Sequence, residues 1–362
     1  MIRKIQNQYN PNYASPPGET LLETLQTIGM PQAELAERTG RPKKTINEII
    51  KGKVSITPDT ALQLEKVLGI PASFWNNRES QYREILAKLE EHERLENHRD
   101  WLSNFPLSAM IKMGWIKGFS DKVSQLKELL RFFGIATPLQ WGNLWDERTI
   151  NFRTSPTFRI NPYSVAAWLR KGEIEARSAK CNPFDSKAFR SALNRIRTLT
   201  NDPPEVFVPE TERLCAESGV ALIFVPELPG TRASGATRWL NNAKALIQLS
   251  LRYGSDDHLW FSFFHESGHI LLHSKKATFL ERDKMNRNDL EQEADKFATD
   301  ILIPSSKFRQ FINCWNHSKE SIMNFSLEMS ISPGIVVGRL QHDGYLPYGH
   351  FNELKKRFVL IS

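Results

Sequence analysis

Residues 263–273 read FFHESGHILLH and set His265, Glu266 and His269 in an HExxH pattern within apolar sequence. In a helix, the i, i+4 spacing puts the two imidazoles one turn apart on one face, where both can grip a single zinc ion. Glu266, beside the first of them, is then placed to take a proton from a water whose pKa the metal has lowered to about 7. Two histidines and a glutamate buried among Phe263, Phe264, Ile270 and Leu271 are costly unless something pairs them, and a metal does so. Read instead as ordinary polar residues of a buried helix, they have no such partner.

A catalytic zinc needs a third protein ligand and an open position. The later segment EQEADKFATDILIP offers Glu291 and Glu293. At about 100° per residue, Ala294, Phe297, Ala298, Ile301 and Leu302 define an apolar face, and Glu291 falls nearer its centre than Glu293 does. Glu291 is therefore favoured as the ligand. Asp295 lies one turn further on the same side, suited to accept the free ring N–H of a zinc-bound histidine. His273 extends the series to HExxHxxxH, but along an unbroken helix it would stand about 12 Å from His265, so it reads as structural. Cys181, Cys215 and Cys314 are far apart and form no CxxC pair, which suggests neither a thiolate zinc site nor a disulfide framework.

The elements that must position these residues follow from periodicity. Leu259 to His273 and Asn288 to Leu302 read as two helices, the second closed by Pro304. Upstream, Val220 to Val225 and Ala245 to Leu251 are short apolar runs bounded by Gly, Pro or Asn, as strands should be. Ala236 to Leu240 and Ala245 to Ser250 flank a turn at Asn241 and Asn242, and an edge strand beside the zinc helix could bind an extended peptide by backbone pairing.

A second set of chemistry-bearing residues lies near the N-terminus. After an irregular lead-in over residues 1–17, four short helical patterns run from Glu19 to about Asn77, the fourth opening at Thr57 and Pro58. Gln32, Leu35, Ala36, Gly40, Thr45, Ile46, Asn47 and Gly52 have the spacing of a helix, tight turn and second helix, with small Ala36 at the crossing. From Arg38 to Lys53 there are six basic residues and one acid, Glu48. The second helix is expected in a DNA major groove, with Lys43, Lys44, Thr45 and Asn47 near base edges and Gln32, Lys51 and Lys53 on phosphates. The other reading is a helical bundle whose basic face is merely solvated or contacts protein.

Residues 79–100 mix both charges with Tyr82, Ile85, Leu86 and Leu89 at helical spacing, which describes a solvent-exposed connecting helix. Helical patterns around Val123 to Phe133 and Val165 to Ala176, broken by Pro138, Pro156 and Pro162, fill a middle region with no recognisable chemical motif. The expected fold is therefore α+β and mainly helical. An all-α helix-turn-helix domain (18–78) precedes a helical connecting region (79–204) and a C-terminal domain with a small sheet (205–362).

At 362 residues the chain suits two or three domains. Its 40% hydrophobic and 25% charged content is that of a globular protein. The net charge of +7 permits a polyanionic partner without requiring one. No run reaches the roughly 18 apolar residues that span a bilayer, and MIRKIQNQYNPNY lacks the apolar stretch of a signal peptide. The expectation is a cytoplasmic protein with no membrane partner.

Both segments resemble known families. Residues 18–78, with the ITPDTALQLE and FW signatures, resemble the Xre-type helix-turn-helix of HigA-like antitoxins. Residues 205–345, through HESGHILLH and EQEADKFATDILIP, resemble the ImmA/IrrE metallopeptidases, and ISPGIVVGRLQ fits the short helical hairpin that closes that domain. The second resemblance implies a zincin-like zinc endopeptidase with Zn2+ held by His265, His269 and Glu291, Glu266 as catalytic base, and a DNA-bound repressor as substrate. Ser267 and Gly268 stand where Leu and Gly are more usual, a departure that leaves the ligands intact. The first resemblance implies a homodimer on a double-stranded operator, with autoregulation and a toxin gene nearby. Together they suggest a peptidase delivered to a promoter in a stress, phage or toxin–antitoxin circuit. The competing reading is an antitoxin or repressor whose zinc fold is a sensor or toxin-binding surface without proteolysis.

Overall fold

The structure is a computed structural model that describes residues 15–146, 161–273 and 287–359. Most of the expected lead-in (1–14) and the break at Pro156 lie outside the described residues. The chain divides into two units, residues 1–99 and 100–362.

In the first unit, the patterns read from sequence become α1 (Pro17–Ile28), α2 (Gln32–Thr39), α3 (Lys43–Ile50), α4 (Pro58–Leu68) and α5 (Ala72–Glu96). Their inward faces bury Leu21, Leu25, Leu35, Ile46, Ile49, Leu64 and Trp75, with Ala36 between α2 and α3. The α2–α3 corner turns at Gly40, whose φ of 66° suits a residue without Cβ. Thr57 caps α4 by accepting from the Thr60 N–H at 3.3 Å, with proline in the first turn. The boundary expected after residue 78 falls within α5, which continues unbroken to Glu96. Buried Glu79 explains the continuity: it accepts from the Ile56 N–H at 3.0 Å and pairs with Arg83 at 2.7 Å, tying the α3–α4 loop to α5.

The second unit begins with α6 (Leu107–Lys112), α7 (Lys122–Phe133) and α8 (Leu139–Trp141), which runs into a π-turn at Gly142–Asp146. Their core is aromatic, with Trp101, Phe105, Phe133 and Trp141 edge-on or tilted to one another and Trp141 stacked on Tyr163. Three longer helices follow: α9 (Pro162–Ser178), α10 (Ser186–Thr198) and α11 (Pro204–Glu217).

A three-stranded sheet comes next, β1 (Val220–Phe224), β2 (Gly235–Asn241) and β3 (Lys244–Leu249), in the order β1-β3-β2. β3 is central, parallel to β1 and antiparallel to β2, with Val220 opposite Ala245 and Thr237 opposite Ile247. The β2–β3 turn is held by Asn241, whose side chain accepts from the Ala243 N–H at 2.8 Å. Both faces of β3 are covered, so it reads as a continuous apolar run rather than an alternating one. Ala245, Ile247 and Leu249 enter the main core, whereas Leu246 meets Ala176 of α9 and Gln248 donates to the Trp168 carbonyl at 2.8 Å.

α12 (Asp256–Leu272) covers the main-core face of the sheet, and α13 (Arg287–Leu302) packs along it. α14 (Ser305–Cys314), α15 (Lys319–Met329) and α16 (Pro333–His342) close the unit. The main core joins Phe189, Leu193 and Ile196 of α10 to Trp239, Ile247, Phe263, Phe264 and Val336, so it draws on residues upstream of 205.

α12 starts three residues earlier than its apolar pattern, at two buried acids that the C-terminal segment grips. The Ser332 hydroxyl donates to Asp256, which also accepts from the Lys356 N–H at 3.2 Å. Asp257 pairs with Lys355 at 2.7 Å, both side chains about nine-tenths buried, and accepts from Ser255 at 2.6 Å. Burial works to raise the Asp257 carboxyl, but Lys355 and Ser255 outweigh it and hold the group below the usual carboxylate range. This stability is present above the unfolded carboxylate value near 4 and is lost as pH falls through the lowered folded value. Lys355→Met should therefore cost about 3 kcal/mol at neutral pH, because it leaves a buried charge unpaired. In urea titrations at pH 7 and pH 3, the variant should lose less stability than wild type on acidification; equal losses would count against the pair.

Candidate metal centre

The pairing of α12 with α13 builds the site. Gly268 permits the close approach: a Cβ there would stand 3.2 Å from the Ala294 Cα and from the Phe297 ring. On α12, His265 Nε2 and His269 Nε2 lie 3.0 Å apart. From α13, Glu291 Oε2 stands 3.3 Å from the first nitrogen and 3.8 Å from the second. Among the described residues these three form the group that could hold a metal ion, their ligand atoms all within 4.8 Å of one another. Ligand atoms about 2.0–2.1 Å from one tetrahedral zinc are separated by about 3.3 Å, so the observed triangle fits such an ion. The chemistry fits as well, since two imidazoles and one carboxylate are zinc donors that leave a fourth position for water or substrate.

Protons and charges agree with that use. His265 donates from Nδ1 to the Asp295 carboxylate at 2.8 Å, which leaves Nε2 as the ring atom that faces His269 and Glu291 and that a metal would occupy in place of a proton. Burial disfavours a His265 cation, but Asp295, Glu291 and the charge of Glu266 outweigh it and raise its pKa to about 10. Glu291 is held well below the usual range, chiefly by its contacts with His265 and His269. The surroundings that hold a proton so firmly favour a divalent cation for the same reason.

Glu266 is 92% buried, facing β2. The Thr237 hydroxyl donates to Glu266 Oε2 at 2.7 Å and lies 3.0 Å from the Glu266 carbonyl oxygen. The other carboxylate oxygen sits against Gly235, where an added Cβ would come within 2.7 Å of it. Neither Gly235 nor Thr237 was visible as a site residue from sequence, because the contact crosses 29 positions and depends on which strand takes the sheet edge. Glu293 does not join the triangle; its Oε2 lies 3.3 Å from His273 Nε2.

In the first unit, the residues expected at DNA lie on α2 and α3. Gln32 opens α2 and is half-buried, Lys43 and Lys44 open α3 and are exposed, Thr45 and Asn47 are half-buried on α3, and Lys51 is exposed at its C-terminal end. The local excess of positive charge is smaller than the window suggested. Arg38 pairs with Glu34 and Arg41 with Asp59, each at 2.6 Å, and both acids lie outside the window. Lys43, Lys51 and Lys53 pair with no carboxylate among the described residues.

Residues 21–75 match the helix-turn-helix family model, and residues 227–340 match the peptidase M78 family model, described as the IrrE N-terminal-like domain. No curated protein matches the chain. Among solved structures, the chain is similar to an addiction module antidote protein of a HigA family from Coxiella burnetii. The identity is 33%, over 23% of this chain and 92% of that one, with a TM-score of 0.22. A second is a plasmid maintenance antidote protein from Nostoc punctiforme, 32% identical over 23% of this chain and 91% of that one, also with a TM-score of 0.22. No helix of the described residues is long and apolar enough to cross a membrane.

The hydrogen bond from His265 to Asp295 should matter to metal affinity. Asp295→Ala is expected to weaken zinc binding about 10–100-fold in competition with a chelator, whereas His265→Ala should abolish stoichiometric binding. Unchanged affinity in Asp295→Ala would count against the orienting role of this carboxylate.

Proposed function

Joining a helix-turn-helix domain to an IrrE N-terminal-like domain, this chain is, we propose, a DNA-bound zinc endopeptidase that cleaves a regulatory protein, a transcriptional repressor being the substrate its resemblances favour. The observation that carries the reading is the convergence of His265, His269 and Glu291 on one point, with the Glu266 carboxylate fixed beside them by Thr237. A zinc ion held by those three residues supplies Lewis acidity, acidifying water and polarising a peptide carbonyl.

The remaining roles fall to the chain's own residues. Glu266 takes up a proton and returns it to the departing amine, its carboxylate kept in register by the Thr237 hydroxyl. Asp295 holds the His265 ring in the tautomer a ligand needs. β2 ends the sheet, and no strand pairs with its outer edge among the described residues. An extended substrate segment can add there by backbone hydrogen bonding, close to Glu266. That geometry favours an unfolded or looped stretch of a protein substrate over a folded surface.

In the first unit, Lys43, Lys44, Thr45 and Asn47 face base edges, while Gln32, Lys51 and Lys53 hold phosphates. Binding to a promoter raises the local concentration of the peptidase around regulators bound to the same DNA.

Two experiments test these roles separately. Incubated with the regulatory proteins encoded beside its gene, the wild-type chain should yield a discrete cleavage product, and Glu266→Gln should form it about 10³-fold more slowly. A product that persists at the wild-type rate in the variant would rule out Glu266 as the base. In gel shifts on DNA from its own promoter, Lys51→Ala/Lys53→Ala should weaken binding and flatten the slope of log K against log salt by about 1.8, for two phosphate contacts. An unchanged slope would remove these lysines from the contact surface.

A further inference from the structure

His273, which straight-helix geometry removes from the metal, is tied to it by another route. It stands just past the end of α12 with φ −102° and ψ 138°, so the backbone has left the helix. Its amide still bonds the His269 carbonyl at 3.3 Å. The side chain is only 7% exposed, which is costly for an imidazole without partners. It has two: Nδ1 lies 2.9 Å from His269 Nδ1, and Nε2 lies 3.3 Å from Glu293 Oε2.

With His265 Nε2 and His269 Nε2 both given over to the metal and His273 neutral, one proton assignment uses the remaining contacts of this row. The Glu293 carboxylate only accepts, so His273 carries its proton on Nε2 and donates it there. A neutral His273 ring then has its lone pair on Nδ1, which accepts from His269. His269 must therefore carry its proton on Nδ1, and its lone pair is left on Nε2, the atom that faces His265 and Glu291. If His269 were protonated on Nε2 instead, two ring nitrogens would face each other without a proton at 2.9 Å, and the ligand atom would be blocked.

We infer that His273 and Glu293 form an orienting arm for His269, His269 Nδ1–H to His273 Nδ1 and His273 Nε2–H to Glu293. This arm is the counterpart, on the second imidazole, of the single carboxylate Asp295 on the first. His273 is thus a positioning residue, and Glu293 acts through it rather than as a ligand. The inference rests on the reading that His265, His269 and Glu291 hold zinc. It explains why both acids of the EQE segment are engaged, one facing the metal triangle and the other the imidazole behind it.

The test uses the full-length chain, zinc itself as the probe and two readouts. In long-range ¹H–¹⁵N spectra of the zinc-loaded, histidine-labelled protein, His269 should carry its proton on Nδ1 and His273 on Nε2; a His273 proton on Nδ1 would overturn the arm. In chelator competition, His273→Phe should weaken zinc binding about 10–100-fold. Glu293→Ala, on a half-exposed side chain whose removal leaves the core untouched, should weaken it by a smaller factor. Glu293→Gln, whose amide oxygen still accepts, should restore most of that loss. Wild-type zinc binding that His269→Ala abolishes, but that His273→Phe and Glu293→Ala leave intact, would overturn the arm alone. A wild-type chain that binds no zinc would defeat the metal reading itself.

Discussion

Two imidazole nitrogens 3.0 Å apart with a carboxylate oxygen beside them form a concentration of lone pairs that a cation relieves, and the second unit is organised around holding that concentration in place. α12 supplies both nitrogens from one face, so their separation is fixed by helical geometry. The third donor comes from α13, which must approach closely enough for its carboxylate to reach. Gly268 allows that approach, and the apolar seam of Phe263, Phe264, Ala294, Ala298 and Leu302 holds it. Behind the two imidazoles stand Asp295 against His265 and His273 with Glu293 against His269.

The same helix is anchored at its other end and along its length. Asp256 and Asp257 bury their carboxylates against the C-terminal segment, a choice that would be unfavourable without Ser332, Lys355 and the Lys356 amide as partners. Along its flank, α12 meets the sheet, where Gly235 makes room for Glu266 and Thr237 grips it. Because β2 ends the sheet among the described strands, the Glu266 carboxylate held by Thr237 lies next to backbone able to pair with an incoming chain. Rigid elements therefore carry the site, and its open side is the free edge of the sheet.

Much of this was legible in the sequence wherever the relevant contact is local. The i, i+4 spacing of His265 and His269, the turn offset from Glu291 to Asp295, the Thr57 cap and the β2–β3 turn at Asn241 are short-range rules that tertiary packing did not override. The apolar face that points to Glu291 is the one α13 buries, through Ala294, Ala298 and Leu302, and it brings Glu291 beside His265 and His269. What could not be read depends on distant pairings. Thr237 reaches Glu266 only because of the strand order. Arg38 and Arg41 are neutralised by acids just beyond the window that made the segment look so basic. Distance along a straight helix separates His273 from His265, but the chain leaves the helix at that residue and the ring lies between His269 and Glu293, a contact that spacing alone does not show. The boundary placed at residue 78 followed a change in charge pattern, whereas α5 runs through it with Glu79 packed inward.

All of these roles require one divalent cation between α12 and α13. Anomalous diffraction from crystals of the full chain, recorded above and below the zinc absorption edge, tests it directly. A single peak is expected, present only above the edge, about 2.0–2.2 Å from His265 Nε2, His269 Nε2 and a Glu291 carboxylate oxygen. No peak at that point in crystals grown with zinc, or a peak ligated by His273 or Glu293 in place of these residues, would contradict it.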